Sequence, residues 1–300
     1  MERPVPELSV IVPSVNEVDD LVDCLAALET QRADVDLEVL VIDRLGEHVR
    51  HTARVRAPWA RVIAVPPDTP IPRMRARGFE EATGEAIAVI EDHVMVPPGW
   101  ARAMLDALAE GHGVVGGSVE NAATGTLIDW AAFLCEYSHC LPPIPAGPAE
   151  WLTGNNVVYA RAVIERHRDV LAEGRWEDRL HEAIRSDGTA LICRPEIVVG
   201  HKKHYSFGEY FSQRYLFARA FAGARVAGAP LATRLAYAAG ALALPPVLFY
   251  RTISRILAKR KHTEWLWRSI PLLLAFVTSW GFGEFVGYLR GPGDALARVR

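Results

Sequence analysis

The stretch LSVIVPSVNE, Leu8–Glu17, decides how the chain begins to fold. Five of its first six residues are apolar and three of these are β-branched, which is typical of a short strand buried on both faces. From Asn16 to Gln31, apolar residues then recur at helical spacing along one stripe. A buried strand that leads into an amphipathic helix predicts the first unit of a layered α/β fold.

The alternation of strands and helices continues over the next hundred residues. Further buried strands are predicted at 37–43, at 61–65, over the AIAVIE run from Ala86, and at 113–119. Helices are predicted at 73–83, closed by Gly84 as a C-cap, and from Pro97-Pro98 to about Glu110. This order predicts an α/β fold with a doubly wound, mostly parallel sheet and right-handed crossovers.

Sheets of this kind bind ligands at the carboxyl ends of their strands. The polar residues at those ends are Ser14–Glu17, Asp43 and Glu91-Asp92-His93. No GxGxxG motif follows the first strand, which counts against a dinucleotide redox domain, and no P-loop lysine motif is present. Glu91 and His93 are two residues apart, so on a strand they share one face and can hold a divalent cation. The alternative is a polar strand end that caps the next helix.

Composition limits the domain organisation and the compartment. Half of the 300 residues are hydrophobic and 23% are charged, which suits one large α/β domain with an appendage. The four cysteines form no CxxC pair, as expected of buried thiols in a reducing compartment (Cys24, Cys135, Cys140, Cys193). The N-terminus lacks the pattern of a signal peptide, so we expect the catalytic part to face the cytoplasm.

The net charge of −3 hides an asymmetry between the two ends of the chain. Residues 231–300 contain ten Lys or Arg residues and three acids and carry +7, whereas residues 1–230 carry −10. A basic, apolar tail on an acidic domain predicts attachment to an anionic membrane surface. Nucleic acid is a poor fit, because the basic residues alternate with long apolar runs.

Several motifs in order resemble the family 2 glycosyltransferases. The opening strand, turn and helix, Leu8–Gln31, look like the start of that family's nucleotide-sugar-binding GT-A fold, and LVID ending at Asp43 looks like its second strand. The family's arginine helix and the turn after it resemble MRARG (Met74–Gly78) and EATGE (Glu81–Glu85). Its Asp-x-Asp strand end resembles EDHVMVPPGW (Glu91–Trp100). TGNN from Thr153, WED from Trp176 and the Gln213-Arg214 region fit the later motifs. The resemblance covers roughly residues 7–220.

The resemblance implies a set of residues that bind the sugar donor. Alternatives from the residues alone stay open: Asp43 can cap its own turn, Asn16 can be an N-cap, and the Gly154-Asn155 loop can be only a turn. The donor-binding prediction comprises Pro13, Ser14, Asn16, Glu17, Asp43, Arg75, Asp92, Gly154, Asn155 and Arg214.

The resemblance also implies a metal site at Glu91 and His93, with His201 as a third ligand. Mn²⁺ or Mg²⁺ is expected, although the family's Asp-x-Asp is Glu91-Asp92-His93 here and imidazole favours softer ions than Mg²⁺. For His201, plain packing or a helix-dipole contact is an equal alternative, and His204 is expected at the surface.

The catalytic base implied by the resemblance is Asp178, with Glu177 as a neighbouring acceptor contact. Both residues begin a predicted helix that stops at Gly188. Two acids in a first helical turn are also common simply because they suit the helix dipole, and that interpretation stays open.

The tail contains two uncharged runs, Leu235–Tyr250 and Ser269–Gly283. Both are shorter than the roughly 20 residues of a membrane span, and Pro245-Pro246 interrupts the first. Six Lys or Arg residues in the link 251–268 would violate the positive-inside rule if both runs crossed the bilayer. Interfacial or re-entrant helices on the cytoplasmic face of the cell membrane are therefore expected. A helical subdomain that pairs two copies of the chain is the alternative.

These inferences predict a GT-A catalytic domain at 1–225 and a basic helical tail at 226–300. The predicted function is inverting transfer of a sugar from a nucleotide-diphosphate donor to a hydroxyl acceptor that is lipid-linked or membrane-bound. A non-catalytic nucleotide-sugar-binding or membrane scaffold is the alternative, suggested by the altered Glu91-Asp92-His93. A nucleotidyltransferase would need a glycine-rich, lysine-bearing loop after the first strand, which is absent.

Overall fold

The computed structural model describes residues 5–300, which form two compact units. The first unit runs to Ala122 and resumes at Cys140–Lys202, and the second contains Ala123–His139 and Lys203–Arg300. The structural division at 202/203 therefore does not coincide with the predicted domain boundary at 225. The helix that ends at Arg225 groups with the C-terminal helices because its small residues pack against them.

The first unit alternates strands and helices. Its strands are β1 (Leu8–Ser14), β2 (Leu37–Asp43), β3 (Arg61–Ala64), β4 (Ala86–Val89), β5 (Val94–Met95), β6 (Val114–Asn121), β7 (Gly147–Ala149), β8 (Val157–Ala160) and β9 (Leu191–His201). Its helices are α1 (Val18–Glu29, followed by a 3-10 turn at Thr30–Ala33), α2 (Glu47–Arg56), α3 (Ile71–Glu81), α4 (Trp100–Ala109), α6 (Arg161–Arg166), α7 (Arg168–Ala172) and α8 (Glu177–Ser186).

All nine of these strands form one mixed sheet. Its order is β3-β2-β1-β4-β8-β6-β9-β5, with β7 also paired to β9. Within the described residues, β1–β4, β6 and β9 run in one direction, whereas β5, β7 and β8 run opposite. The mostly parallel sheet with helices confirms the predicted fold class. The antiparallel β8 between β4 and β6 was not predicted, since pairing order is set by contacts distant in sequence.

Two local predictions in this unit are wrong. Helix α3 ends at Glu81, and Gly84 is not its C-cap. Gly84 is needed instead for close approach to β1, because a Cβ there would lie 2.6 Å from the backbone nitrogen of Ser9. Strand β4 ends at Val89, so Glu91–His93 lies beyond the strand in a turn rather than on it.

The second unit is helical. It contains α5 (Leu127–Tyr137), α9 (Phe207–Arg225), α10 (Leu231–Ala241), α11 (Leu244–Lys259), α12 (Thr263–Arg290) and α13 (Ala295–Arg298). Helices α9 and α12 approach closely because glycines of α12 face α9: a Cβ at Gly287 would lie 2.5 Å from the carbonyl oxygen of Arg219. As predicted, the first apolar run is interrupted at Pro245-Pro246, which stand at the start of α11.

The second uncharged run, Ser269–Gly283, forms only part of a longer helix. It lies within the single 28-residue helix α12, which continues through Arg268 and Glu284 and contains Pro271. The helix is longer than the uncharged run because residues on both sides of the run, charged ones included, continue the same helix. In length and composition α12 can cross a membrane, and the bent pair α10 and α11 can form one broken span. A buried helix of a soluble protein can have the same length and composition.

Candidate functional site

Strand register brings the predicted site residues together within the first unit. Ser14 and Asp43 are partners at the ends of the parallel strands β1 and β2. At the opposite end of the strand order, β5 and β9 are antiparallel, and Val94 is the partner of His201. This pairing places His201 beside His93, although 108 residues separate them in the chain.

Glu91, His93 and His201 form a group that can hold a metal ion. The two Nε2 atoms lie 2.8 Å apart, and His93 Nε2 lies 3.5 Å from Glu91 Oε2. The three ligand atoms all lie within 4.8 Å of one another. Both histidines are buried, whereas the Glu91 side chain is 27% exposed. The group therefore has one side open to solvent.

Asp92 is not one of these three ligands, and its carboxylate contacts the turn after β1. Its Oδ2 accepts hydrogen bonds from the backbone nitrogens of Val15 and Asn16 at 2.7 and 2.8 Å. Its Oδ1 lies 2.6 Å from Asn16 Nδ2 and 3.0 Å from His93 Nδ1. Burial alone would raise the pKa of Asp92, but the hydrogen bonds from His93, Asn16 and Val15 outweigh it and lower the pKa. Asp92 is fully buried, so any effect of this carboxylate on a bound sugar donor is indirect.

The residues present fit a divalent cation. Ligand atoms about 2.0–2.2 Å from one ion lie roughly 3 Å apart when adjacent, close to the spacing of the two imidazoles. Asp92 accepts only, so its contact with Nδ1 favours the His93 tautomer in which Nε2 presents a lone pair to the ion. A buried carboxylate behind a ligating histidine is a recurrent arrangement in metal sites.

Glu91 is oriented by two further residues. Asn155 Nδ2 donates to Glu91 Oε2 at 3.1 Å, and Thr153 Oγ1 donates to Asn155 Oδ1 at 2.6 Å. Arg75 Nη2 lies 3.4 Å from Glu91 Oε1. The loop at Gly154-Asn155, which was predicted to bind the donor, is thus linked directly to the metal-binding group.

Arg75 joins Glu91 to the first turn of α8. Its Nη1 donates to Glu177 Oε2 at 2.6 Å, and its guanidinium carbon lies 5.6 Å from the ring centroid of Trp176. A Cβ at residue 154 would lie 2.5 Å from Glu177 Cδ and 2.6 Å from Arg75 Nη1, so a larger residue there would displace the Arg75–Glu177 ion pair. The neighbouring arginines are exposed and bind elsewhere: Arg73 donates to the carbonyl oxygen of Ala172, and Arg77 pairs with acids of its own helix.

Asp178 lies in the first turn of α8, next to Glu177. Its side chain is exposed, and its Oδ1 accepts from the backbone nitrogen of Arg179 at 2.8 Å. The surrounding protein nevertheless removes water from the carboxylate, and this, with the charge of Glu177, raises the pKa of Asp178. A carboxylate with a raised pKa binds a proton more readily than an ordinary aspartate.

Asp43 caps the turn that follows β2, which was the alternative to a role in donor binding. It is fully buried and accepts hydrogen bonds from the backbone nitrogens of Leu45 and Gly46 at 3.2 and 3.1 Å. Ser14 Oγ donates to it at 3.1 Å, and Arg50 Nη1 lies 3.0 Å away. Asp43 therefore stabilises the end of β2, and its contact with a nucleoside stays a prediction.

In the turn after β1, the residue at the N-cap position of α1 is not Asn16, the residue suggested by the sequence. Glu17 occupies the N-cap position of α1 and makes no side-chain capping bond, so Asn16 is not the cap. Asn16 instead holds Asp92 and lies 3.0 Å from His93 Nδ1. Pro13 and Ser14 are buried at the end of β1, whereas Glu17 is exposed.

Two predicted residues lie in the second unit. The Arg214 guanidinium lies 4.1 Å from the ring centroid of Trp280, a cation–π contact within that unit. His204 is 59% exposed, as expected, and its Nδ1 lies 3.0 Å from Asp129 Oδ2.

Sequence reasoning missed one buried polar pair beside the site. Tyr159 on β8 and His181 on α8 share a hydrogen bond of 2.8 Å between the tyrosine hydroxyl and Nε2. Neither residue belongs to a motif, and the one available signal was the position of His181, four residues after Glu177 in the predicted helix.

Comparison with known proteins adds an independent observation. A search of curated proteins found no match. Residues 9–133 match the family model described as Glycosyl transferase family 2, a range that includes Glu91 and His93 but ends before Asn155, Asp178 and His201. Together with the mixed sheet and the Glu91–His93–His201 group, this match supports a family 2 glycosyltransferase that transfers sugar from a nucleotide donor to an acceptor.

Proposed function

We propose that the protein is an inverting glycosyltransferase that moves a sugar from a nucleotide-diphosphate donor to an acceptor hydroxyl. The observation that carries the proposal is the link Glu91–Arg75–Glu177, which connects the metal-binding group to the helix of Asp178. A donor diphosphate at Glu91 would therefore place its sugar toward the first turn of α8.

The donor is held by the strand ends and by the loop at Gly154. Ser14, Asn16 and Glu17 border the nucleoside, with Pro13 shaping the turn and Asp43 fixing the end of β2. Asn155, which donates a hydrogen bond to Glu91, is proposed to contact the sugar. Arg75 supplies charge to the leaving diphosphate. For Arg214, a contribution of charge to the same leaving group stays a prediction.

A divalent cation is proposed at Glu91, His93 and His201, where its charge would neutralise the departing diphosphate. Two imidazoles and one carboxylate favour Mn²⁺ over Mg²⁺, because Mg²⁺ prefers a full set of oxygen ligands. Asp92 contributes by holding His93 in the orientation described above.

Asp178 is proposed as the catalytic base. Its carboxylate takes the proton of the acceptor hydroxyl while that oxygen attacks the anomeric carbon from the face opposite the diphosphate. The bond from the anomeric carbon to the diphosphate breaks as the new glycosidic bond forms, so the configuration inverts. Glu177 contacts the acceptor and is held in place by Arg75.

The second unit is proposed to bind the cytoplasmic face of an anionic membrane, where a lipid-linked acceptor would lie. Three-quarters of the large hydrophobic side chains that are exposed belong to this unit (Phe207, Phe211, Leu231, Leu235, Tyr237, Leu242, Val247, Tyr250, Leu257, Trp267, Leu274, Phe282). The same stretch carries the excess of basic residues. Apolar and basic groups together suit an interface with acidic headgroups. Pairing of two copies through these helices is the alternative.

Nucleotide binding tests the donor proposal. Detergent-purified protein is titrated calorimetrically with UDP, GDP and dTDP, with and without Mn²⁺. We expect one nucleotide to bind only when Mn²⁺ is present. If folded protein binds none of the three, the donor site is refuted and the scaffold alternative is favoured.

Turnover tests the base. Asp178→Asn should retain Mn²⁺-dependent nucleotide binding and lose at least a hundredfold in kcat with the matching sugar donor. The matched control is Asp169→Asn in α7, an acid with no proposed role. Full turnover by Asp178→Asn would refute the base assignment.

Vesicle binding tests the membrane proposal. The double variant Arg251→Glu/Arg260→Glu should bind phosphatidylserine vesicles much more weakly than the unaltered protein. The control is Arg54→Glu/Arg56→Glu, two exposed arginines of the first unit. Equal binding of both variants would contradict attachment through the basic link.

A further inference from the structure

Helix α8 carries the proposed base, and its N-terminus has no side-chain cap. Trp176 occupies its N-cap position and provides no side-chain capping hydrogen bond. The helix is ten residues long, and its buried residues are Leu180, His181 and Ile184. Packing of Leu180 and Ile184 restrains the helix, and a buried hydrogen bond adds a contact of defined direction to that packing.

His181 supplies the directional contact. Its Nε2 lies 2.8 Å from the Tyr159 hydroxyl, and each residue is only 1% exposed. Within the described residues, His181 Nδ1 has no hydrogen-bond partner, so the Tyr159 contact is the polar attachment of this imidazole. The Tyr159 ring is itself held edge-on against Phe79, with centroids 5.7 Å apart.

Helical geometry connects this contact to the proposed base. At about 100° per residue, His181 lies roughly 60° around the helix from Asp178 and roughly 40° from Glu177. A hydrogen bond at His181 therefore limits both rotation and sliding of the turn that carries the two acids. The Arg75–Glu177 ion pair of 2.6 Å is a second attachment on the same stripe of α8.

The Tyr159–His181 contact persists at neutral pH. Burial, with the charges of Arg185 and Arg75, lowers the pKa of His181 to about 3. The imidazole is thus neutral, and its contact with the hydroxyl involves no charge that a change around pH 7 would switch.

We propose that Tyr159 and His181 are positioning residues, which hold α8 so that Asp178 stands in place for the transfer step. The proposal rests on the proposed function for its effect on turnover. Its structural part, that the hydrogen bond orders α8, is independent of that function. Neither residue needs to touch donor, acceptor or metal.

The test compares two variants that each lose one buried tyrosine hydroxyl. Tyr159→Phe removes the contact with His181. Tyr210→Phe is the control, because Tyr210 is also 1% exposed and its hydroxyl donates to the carbonyl oxygen of Ala132 at 3.0 Å in the second unit. We measure kcat, KM for the donor, the Kd of the Mn²⁺–nucleotide complex, and amide hydrogen exchange of residues 177–186.

Tyr159→Phe should lower kcat about 10- to 100-fold, because a shift of about 1 Å at a reacting group costs up to a hundredfold in rate. KM and the nucleotide Kd should stay within about twofold, and exchange in α8 should become faster. Tyr210→Phe should leave kcat and α8 exchange unchanged. His181→Gln, which keeps an acceptor for Tyr159, should retain more kcat than His181→Leu; this pair provides the comparison if Tyr159→Phe does not fold.

The outcomes separate the two proposals. Turnover by the unaltered protein together with an unchanged kcat in Tyr159→Phe overturns the positioning role alone. Absence of turnover by the unaltered protein with every donor contradicts the proposed function, and α8 exchange then decides the structural part. Unchanged α8 exchange in Tyr159→Phe, or equal losses of kcat in both tyrosine variants, overturns the positioning proposal.

Discussion

The Nε2 atoms of His93 and His201 lie 2.8 Å apart, and their rings are perpendicular. Two neutral imidazoles at this distance share at most one hydrogen, whereas a metal ion can bind both lone pairs. Glu91, whose side chain is partly exposed, adds a carboxylate to the two imidazoles. This relationship makes metal affinity the property most sensitive to either histidine.

Replacement of His201 should weaken metal binding. We expect His201→Ala to raise the Kd for Mn²⁺ at least tenfold, because it removes one of three protein ligands. The control is His204→Ala, which removes a nearby histidine that is 59% exposed and pairs with Asp129. Calorimetric titration with Mn²⁺ measures both variants, and equal affinities would show that His201 is not a ligand.

Asp92 should matter to the metal site without binding the metal. Asp92→Asn keeps the size of the side chain but weakens its hold on His93 Nδ1 and on the turn at Val15 and Asn16. We expect Mn²⁺ affinity to fall about 10- to 100-fold and the free energy of unfolding to fall by about 1–3 kcal/mol. Urea unfolding and Mn²⁺ titration check the two effects. Unaltered affinity would mean that the orientation of His93 does not depend on the Asp92 charge.

Close packing of α9 against α12 should depend on Gly287. In Gly287→Ala the new Cβ would lie 2.5 Å from the carbonyl oxygen of Arg219, so backbone must move. We expect a loss of about 1–3 kcal/mol in the stability of the second unit. Gly240→Ala in α10 is the matched control: outside its own helix, no atom of residues 5–300 would lie within 4 Å of the new Cβ, and alanine favours the helix by up to about 1 kcal/mol. Thermal unfolding that ranks the two variants in the opposite order would contradict this packing.

The buried His181 should make the protein sensitive to acid. Its folded-state pKa of about 3 lies below the ordinary value near 6.5, so between these values the unfolded chain binds a proton that the folded chain does not. The free energy of unfolding should therefore fall as pH decreases from about 6.5 toward 3, by up to about 1.4 kcal/mol per pH unit from this residue.

His181→Gln removes that titration and keeps a hydrogen-bond acceptor for Tyr159. Urea unfolding between pH 4 and pH 7 should give a shallower decline for His181→Gln than for the unaltered protein. Parallel declines would show that His181 is not kept neutral by burial.

The sequence by itself determined the elements that depend on neighbouring residues. Strands β1 and β2 and helix α8 follow from hydrophobic periodicity and from local start and stop signals, and their predicted bounds agree closely with the structure. Glu91, His93 and His201 were named together only through the resemblance, because no local rule joins residues more than a hundred positions apart. The predicted strand alternation did not bring Glu91 and His93 together; a turn beyond β4 did.

Tertiary structure decided the rest. The antiparallel insertion of β8, the pairing of Val94 with His201, and the ion pair between Arg75 and Glu177 all depend on register between distant segments. The fully buried Asp43 and Asp92 are committed to turns by backbone donors that their own positions in the sequence do not reveal. Local periodicity reports which face of a segment is buried, whereas the partner that covers that face is chosen only when the whole chain packs.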